Sequence, residues 1–139
     1  MKQVALADDD VELRGLIAEL LRAHDLSVLE AADGASLLSL LQRNEFDAVV
    51  TDLWMPGLDG NDVLRLRRAG GDMTPFIIIT AAPPRVVEGL STAEHVTVLL
   101  KPFTVDMIMR AVEDVLATPS TVAAGTPPRG VGVMDDDDR

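Results

Sequence analysis

The sequence predicts an α/β fold, one parallel sheet of five strands with helices on both faces. Three observations carry that expectation. Short aliphatic or β-branched runs alternate five times with stretches whose apolar residues recur at helical spacing. Phe76-Ile77-Ile78-Ile79-Thr80 shows no polar alternation, as expected of a strand covered on both faces in a central parallel sheet. Val49-Val50-Thr51 runs into Asp52, and Pro56-Gly57 then takes the chain out of the sheet. Parallel neighbours require right-handed crossovers, which the helices supply.

Length and composition narrow the classes. The 139 residues suit one domain with a substantial core. At 47% hydrophobic and 3% aromatic residues, that core is aliphatic. A formal net charge of -11, with pI near 4.4, argues against binding nucleic acid or an anionic membrane through this chain. With no cysteine there is no disulfide, thiolate metal site or cysteine nucleophile. No apolar run approaches the roughly 20 residues of a membrane helix. Asp8, Asp9 and Asp10 interrupt any signal-peptide pattern, so a cytoplasmic protein is expected.

The elements follow in order. Gln3 to Ala7 is the first strand, and Asp10 can cap the helix after it. Leu13, Leu16, Ile17 and Leu20 give that helix an apolar face through about Ala23, before His24-Asp25 closes it. Ser27 to Ala31 is the second strand. Asp33-Gly34 turns into a helix marked by Leu37, Leu38 and Leu41. Phe46 to Thr51 is the third strand. The helix after Asp59-Gly60 carries Val63, Leu64 and Leu66 and stops at Gly70-Gly71, where a left-handed cap suits glycine. Phe76 to Thr80 is the fourth strand. Pro83-Pro84 delays the next helix, a short one from about Pro84 to Leu90. Val96 to Leu100 is the fifth strand. Thr104 caps a last helix with Val105, Ile108, Met109, Val112 and Leu116 on its buried side. The folded domain is expected over 1–118. Residues 119–139, rich in Thr, Ala, Gly and Pro and then four aspartates, read as a disordered tail or linker.

Parallel strands place their carboxyl ends on one edge, where ligands of open α/β sheets bind. That edge collects Asp8 and Asp9 after the first strand, Asp52 after the third, Thr80 after the fourth and Lys101 after the fifth. Singly, each has a plainer reading: Asp52 begins a turn, Asp8-Asp9-Asp10 is a solvated capping run, and Lys101 is a surface lysine. Their convergence favours a site. Two unit charges 4 Å apart repel by about 4 kcal/mol at an effective dielectric near 20. Three carboxylates therefore need more compensation than one lysine gives. Oxygen ligands without His or Cys suit Mg²⁺, which pairs well with phosphate. A carboxylate beside it can attack phosphorus and form an acyl phosphate.

These motifs resemble the receiver domain of bacterial two-component response regulators. The resemblance covers about Lys2 to Ala117. It rests on Asp8-Asp9 followed by Arg14, Thr51-Asp52 with Met55-Pro56-Gly57 and Asp59-Gly60, Thr80-Ala81, and Lys101-Pro102-Phe103. It implies the flavodoxin-like strand order 2-1-3-4-5. It also implies that Asp52 accepts a phosphoryl group from a sensor histidine kinase or a His-containing phosphotransfer protein. Mg²⁺ would be held by Asp8, Asp9, Asp52 and the Trp54 backbone carbonyl. Thr80 would bond the phosphoryl group, Lys101 would pair with it, and small Ala81 would leave its path open. The family's peptide bond before Pro102 is usually cis. A face made of the fourth helix, fifth strand and fifth helix would bind an effector domain or a second copy. Such a protein is a switch that assists its own phosphotransfer and dephosphorylation, not a turnover enzyme.

Three positions depart from the family pattern. Val98 stands where an aromatic switch residue is common. Pro83-Pro84 stiffens the loop after the fourth strand. Trp54 replaces a smaller polar residue and is either a shield over an acyl phosphate or a surface aromatic. Other functions stay open. A Mg²⁺-dependent phosphohydrolase with an Asp nucleophile would want a second Asp where Trp54 stands. A degenerate docking module would not need Asp8, Asp9, Asp52, Thr80 and Lys101 together. A receiver cut from a longer DNA-binding regulator fits as well as a stand-alone one. His24 and His95 have no catalytic partner in sequence.

Overall fold

The computed structural model describes residues 1–91 and 93–117. Ten elements alternate along the chain: β1 (Gln3–Ala7), α1 (Val11–Ala23), β2 (Ser27–Ala31), α2 (Gly34–Arg43), β3 (Ala48–Asp52), α3 (Gly60–Ala69), β4 (Phe76–Thr80), α4 (Pro84–Ser91), β5 (Val96–Leu100) and α5 (Val105–Ala117). The five strands form one parallel sheet in the order β2-β1-β3-β4-β5. The predicted class, order and alternation are all present. The expected tail, 119–139, lies outside the described residues.

The period of two along each strand splits the core into two layers. Val4, Leu6, Val50, Ile77 and Ile79 pack with Ile17 and Leu21 of α1 and with Ile108 and Val112 of α5. Ala5, Ala7, Val49, Phe76 and Ile78 pack with Leu37 and Leu41 of α2, Val63 and Leu64 of α3, and Leu90 of α4. Every residue of β3 and β4 is buried, which explains why β4 reads as an unbroken apolar run.

Short polar side chains start the helices, as expected for Asp10 and Thr104. The Asp10 carboxylate accepts from the Glu12 and Leu13 N–H groups, and Asp33 accepts from Ser36 at 2.7 Å. Asp59 and Asp62 form a reciprocal capping box on α3. Thr104 Oγ1 accepts from the Met107 N–H at 3.2 Å.

Some boundaries and faces differ from expectation. β3 begins at Ala48 rather than Phe46, because Asp47 exchanges two bonds with Gln3, one through its carboxylate, before the ladder starts. Its end is where the apolar run leads, at Asp52, which pairs with Ile79, so the carboxylate sits on the last strand residue. The left-handed turn expected at Gly70-Gly71 is present, on Gly71 (φ +89°). Leu16 is 53% exposed and Val105 is also exposed; Ile17, Ala18 and Leu21 bury α1 instead. Among the described residues no helix is long and apolar enough to cross a membrane.

Candidate functional site

The carboxyl ends of β1, β3, β4 and β5 meet at one rim. Ala7 pairs with Thr51, so Asp8 leaves β1 alongside Asp52. Carboxylate oxygens of Asp8, Asp9 and Asp52 all lie within 4.8 Å of one another. Asp8 is 2% and Asp52 8% exposed, whereas Asp9 faces solvent. From the other side, Lys101 Nζ reaches Asp52 Oδ2 at 3.4 Å. The main chain at Lys101 is pinned as well: its N–H donates to the Thr80 carbonyl at 2.9 Å. The Lys101-Pro102 peptide bond is cis.

Electrostatics follow from this crowding. Burial pushes the Asp52 carboxyl above its ordinary range, against the charge and hydrogen bond of Lys101. Burial also raises Asp8, and the Asp52 and Asp9 charges add to it against a hydrogen bond from the Asp10 N–H. One ammonium does not neutralise three carboxylates. The donor set, hard oxygens with a negative excess and no nitrogen or sulfur, fits a divalent cation of the Mg²⁺ type.

The other expected residues are placed less directly. Thr80 is buried at the end of β4, and its Oγ1 accepts the Ala82 N–H at 2.9 Å. Trp54 follows Asp52 by two residues, on the loop that leaves β3, and its side chain is 56% exposed. The indole lines a groove of about 420 Å³ with Arg65, Arg85 and Leu90, on the α3–α4 side. Val98 is half-buried against the α2–α3–α4 layer. His24 and His95 stand before β2 and β5, at the sheet edge opposite this rim, and His24 Nδ1 contacts the Leu20 carbonyl at 3.0 Å.

Two glycines, Gly34 read as a turn residue and Gly60 read as part of the Asp59-Gly60 motif, prove to shape the site. A Cβ on Gly60 would stand 2.6 Å from the Asp52 carbonyl oxygen, and the Gly60 N–H donates to the Leu53 carbonyl at 2.7 Å. A Cβ on Gly34 would collide with the Leu58 carbonyl. Between them, the loop from Leu53 to Asp59 is held against the start of α2 and the end of β3. Gly57, at φ +77°, makes its turn.

A family model described as the response regulator receiver domain matches residues 4–113. The chain belongs to that family. Among relatives, it is 33% identical over 118 residues to the chemotaxis protein CheY of Pseudomonas aeruginosa, covering 81% of this chain and 94% of CheY. It is 32% identical over 116 residues to the response regulator MprA of Mycobacterium leprae, covering 82% of this chain and 50% of MprA. A further MprA, from Mycobacterium sp. strain KMS, is 39% identical over 79 residues, or 57% of this chain and 34% of that protein. The chain thus spans a third to a half of the length of these MprA relatives. The receiver domain of Francisella response regulator 1452 superposes with TM-score 0.77 at 30% identity, covering 84% of this chain and 98% of that one. The receiver domain of the sensor histidine kinase PA1611 of Pseudomonas aeruginosa PAO1, described with magnesium in its active-site cleft, superposes with TM-score 0.74 at 26% identity, covering 84% and 98%. Receiver domains of this family are phosphoacceptor switches.

Proposed function

We propose that this receiver takes a phosphoryl group on Asp52 and holds it as a signal. The observation that carries the reading is the Asp52 carboxylate set between Lys101 at 3.4 Å and the oxygens of Asp8 and Asp9 within 4.8 Å. In the transfer, an Asp52 oxygen attacks phosphorus while the bond from phosphorus to the donor's imidazole nitrogen breaks. The product is an acyl phosphate, and the imidazole keeps the electron pair of the broken bond. Lys101, 3.4 Å from Asp52, would pair with the incoming phosphoryl oxygens. The Thr80 hydroxyl, now an acceptor for Ala82, would turn to donate to them.

Asp8, Asp9 and Asp52, with the Trp54 carbonyl, would hold Mg²⁺, which offsets negative charge on the phosphoryl oxygens. The magnesium in the PA1611 receiver supports this assignment. A phosphohydrolase is disfavoured, because Trp54 stands where a general-acid carboxylate would be wanted and cannot transfer the proton.

Partner surfaces adjoin the site. Val11 (67% exposed) and Leu16 (53%) stand on α1 beyond the acidic pair, suited to a helix of a histidine kinase or phosphotransfer protein. Leu100, Val105 and Met107 are exposed on β5 and α5, the face assigned to an effector domain or a second copy. Because the chain matches only part of the MprA regulators, output through a further domain belongs to this proposal. The decisive test is phosphate labelling by a histidine kinase with Mg²⁺. Incorporation that is released by alkali and by hydroxylamine, and is absent in Asp52→Asn, is expected; equal labelling of that variant would end the reading.

A further inference from the structure

Arg14 lies one turn into α1 with its side chain only 16% exposed. Its Nη1 donates to the Asp8 carbonyl at 2.8 Å, and its Nε pairs with Glu30 Oε1 at 3.1 Å. Glu30 is held in turn by Arg22 Nη1 at 3.3 Å, and Arg22 Nη2 bonds the Val28 carbonyl at 2.9 Å. A single line of charge-assisted bonds thus runs from the end of α1 through β2 to the peptide joining Asp8 and Asp9.

That peptide is a rigid plane. The Asp8 N–H is tied to the Ala31 carbonyl at 3.1 Å and its Oδ1 to the Asp10 N–H at 2.9 Å. With its carbonyl on Arg14, the plane from which Asp9 departs is fixed too. Asp9 is exposed, so its aim depends on that plane rather than on packing. A guanidinium fork can meet a carboxylate and a carbonyl at once in fixed directions, which an ammonium does not do.

We propose that Arg14, oriented by Glu30, is a positioning residue for the cation site: it sets the Asp8–Asp9 peptide so that both carboxylates converge beside Asp52. The proposal rests on the metal reading given above. Its sign separates it from a simple charge effect. Arg14 is a cation beside an acidic cluster, so removing it would tighten cation binding if only charge mattered. Loss of positioning weakens binding instead, by roughly tenfold if Arg14 behaves as outer-shell partners of metal ligands do.

The test titrates MgCl₂ into the full chain, read by fluorescence of Trp54, the sole tryptophan, and by the rise in melting temperature over EDTA. Arg14→Ala is expected to weaken Mg²⁺ about tenfold, Arg14→Lys to recover only part of that, and Glu30→Gln to weaken it less. Unchanged or tighter Mg²⁺ binding in Arg14→Ala, whatever its stability, would overturn the proposal. If that variant does not fold, wild-type affinity in both Arg14→Lys and Glu30→Gln would do the same. A wild-type chain that binds no Mg²⁺ would remove the metal reading and this proposal together, whereas normal wild-type binding with unmoved variants removes only the role of Arg14.

Discussion

The Asp52 carbonyl oxygen lies 2.6 Å from where a β-carbon on Gly60 would stand. The first residue of α3 therefore abuts the residue proposed to be phosphorylated, with no room for a methyl group. Gly60→Ala must push either the α3 start or the end of β3. Overpacking of this kind costs about 2 kcal/mol. Chemical denaturation should show that loss, and phosphate labelling should fall with it because the moved backbone belongs to Asp52. Wild-type stability and labelling would show that the loop yields without cost.

The raised pKa values of Asp8 and Asp52 set the pH dependence of the metal-free domain. Both fold with pKa values above those of the unfolded chain, so the native state binds more protons in the window between. Stability from these groups is present below about pH 4, the unfolded value, and is lost as pH rises through their folded values. Asp52→Asn, which cannot ionise, should therefore melt higher than wild type in EDTA at pH 7. The gain should shrink towards pH 4 and shrink again on adding Mg²⁺. A lower melting temperature in EDTA at pH 7 would mean that the Lys101 pair outweighs desolvation.

Asp72 has the opposite sign. Burial alone would raise its carboxyl, but the Thr74 hydroxyl and N–H and the Arg67 guanidinium at 3.0 Å hold it below the usual range. Its contribution is present above about pH 4 and is lost as pH falls through the lowered folded value. Asp72→Ala should cost about 1 kcal/mol at pH 7, given hydrogen bonds to a partly exposed charge. Urea unfolding repeated near pH 3 should show a smaller difference between variant and wild type. A constant difference would assign the cost to lost packing.

What the sequence revealed, and what it hid, follows from the kind of signal each residue leaves. The unbroken run from Phe76 to Thr80 announced a strand buried on both sides. The rule that parallel strands end on one edge brings Asp8, Asp9, Asp52 and Lys101 together from the sequence alone. The apolar stripe of α1 did not say which of its margins is covered, so Leu16 was expected inside and lies outside. Gly60 reads as part of the Asp59-Gly60 motif but not as a neighbour of Asp52, because that close approach joins two segments through space. The bond from Arg14 to the Asp8 carbonyl is made to main chain, which leaves no side-chain partner for a pattern to find.

The exposure of Leu16 also separates two routes to the same phosphoryl group. Leu16 and Val11 flank a stretch of α1 where Gly15 leaves open space, with no atom within 4 Å of an added β-carbon. A kinase helix seated there would cover both apolar side chains, while a small phosphodonor such as phosphoramidate needs only the rim. Leu16→Glu removes the apolar contact and adds negative charge without disturbing a buried residue. Labelling by the histidine kinase should fall roughly tenfold or more, the scale of one well-packed interface side chain. Labelling by phosphoramidate, and the melting temperature, should stay at wild-type values. Loss of both kinds of labelling would place Leu16 in the chemistry of the rim, and loss of neither would move the kinase to another face.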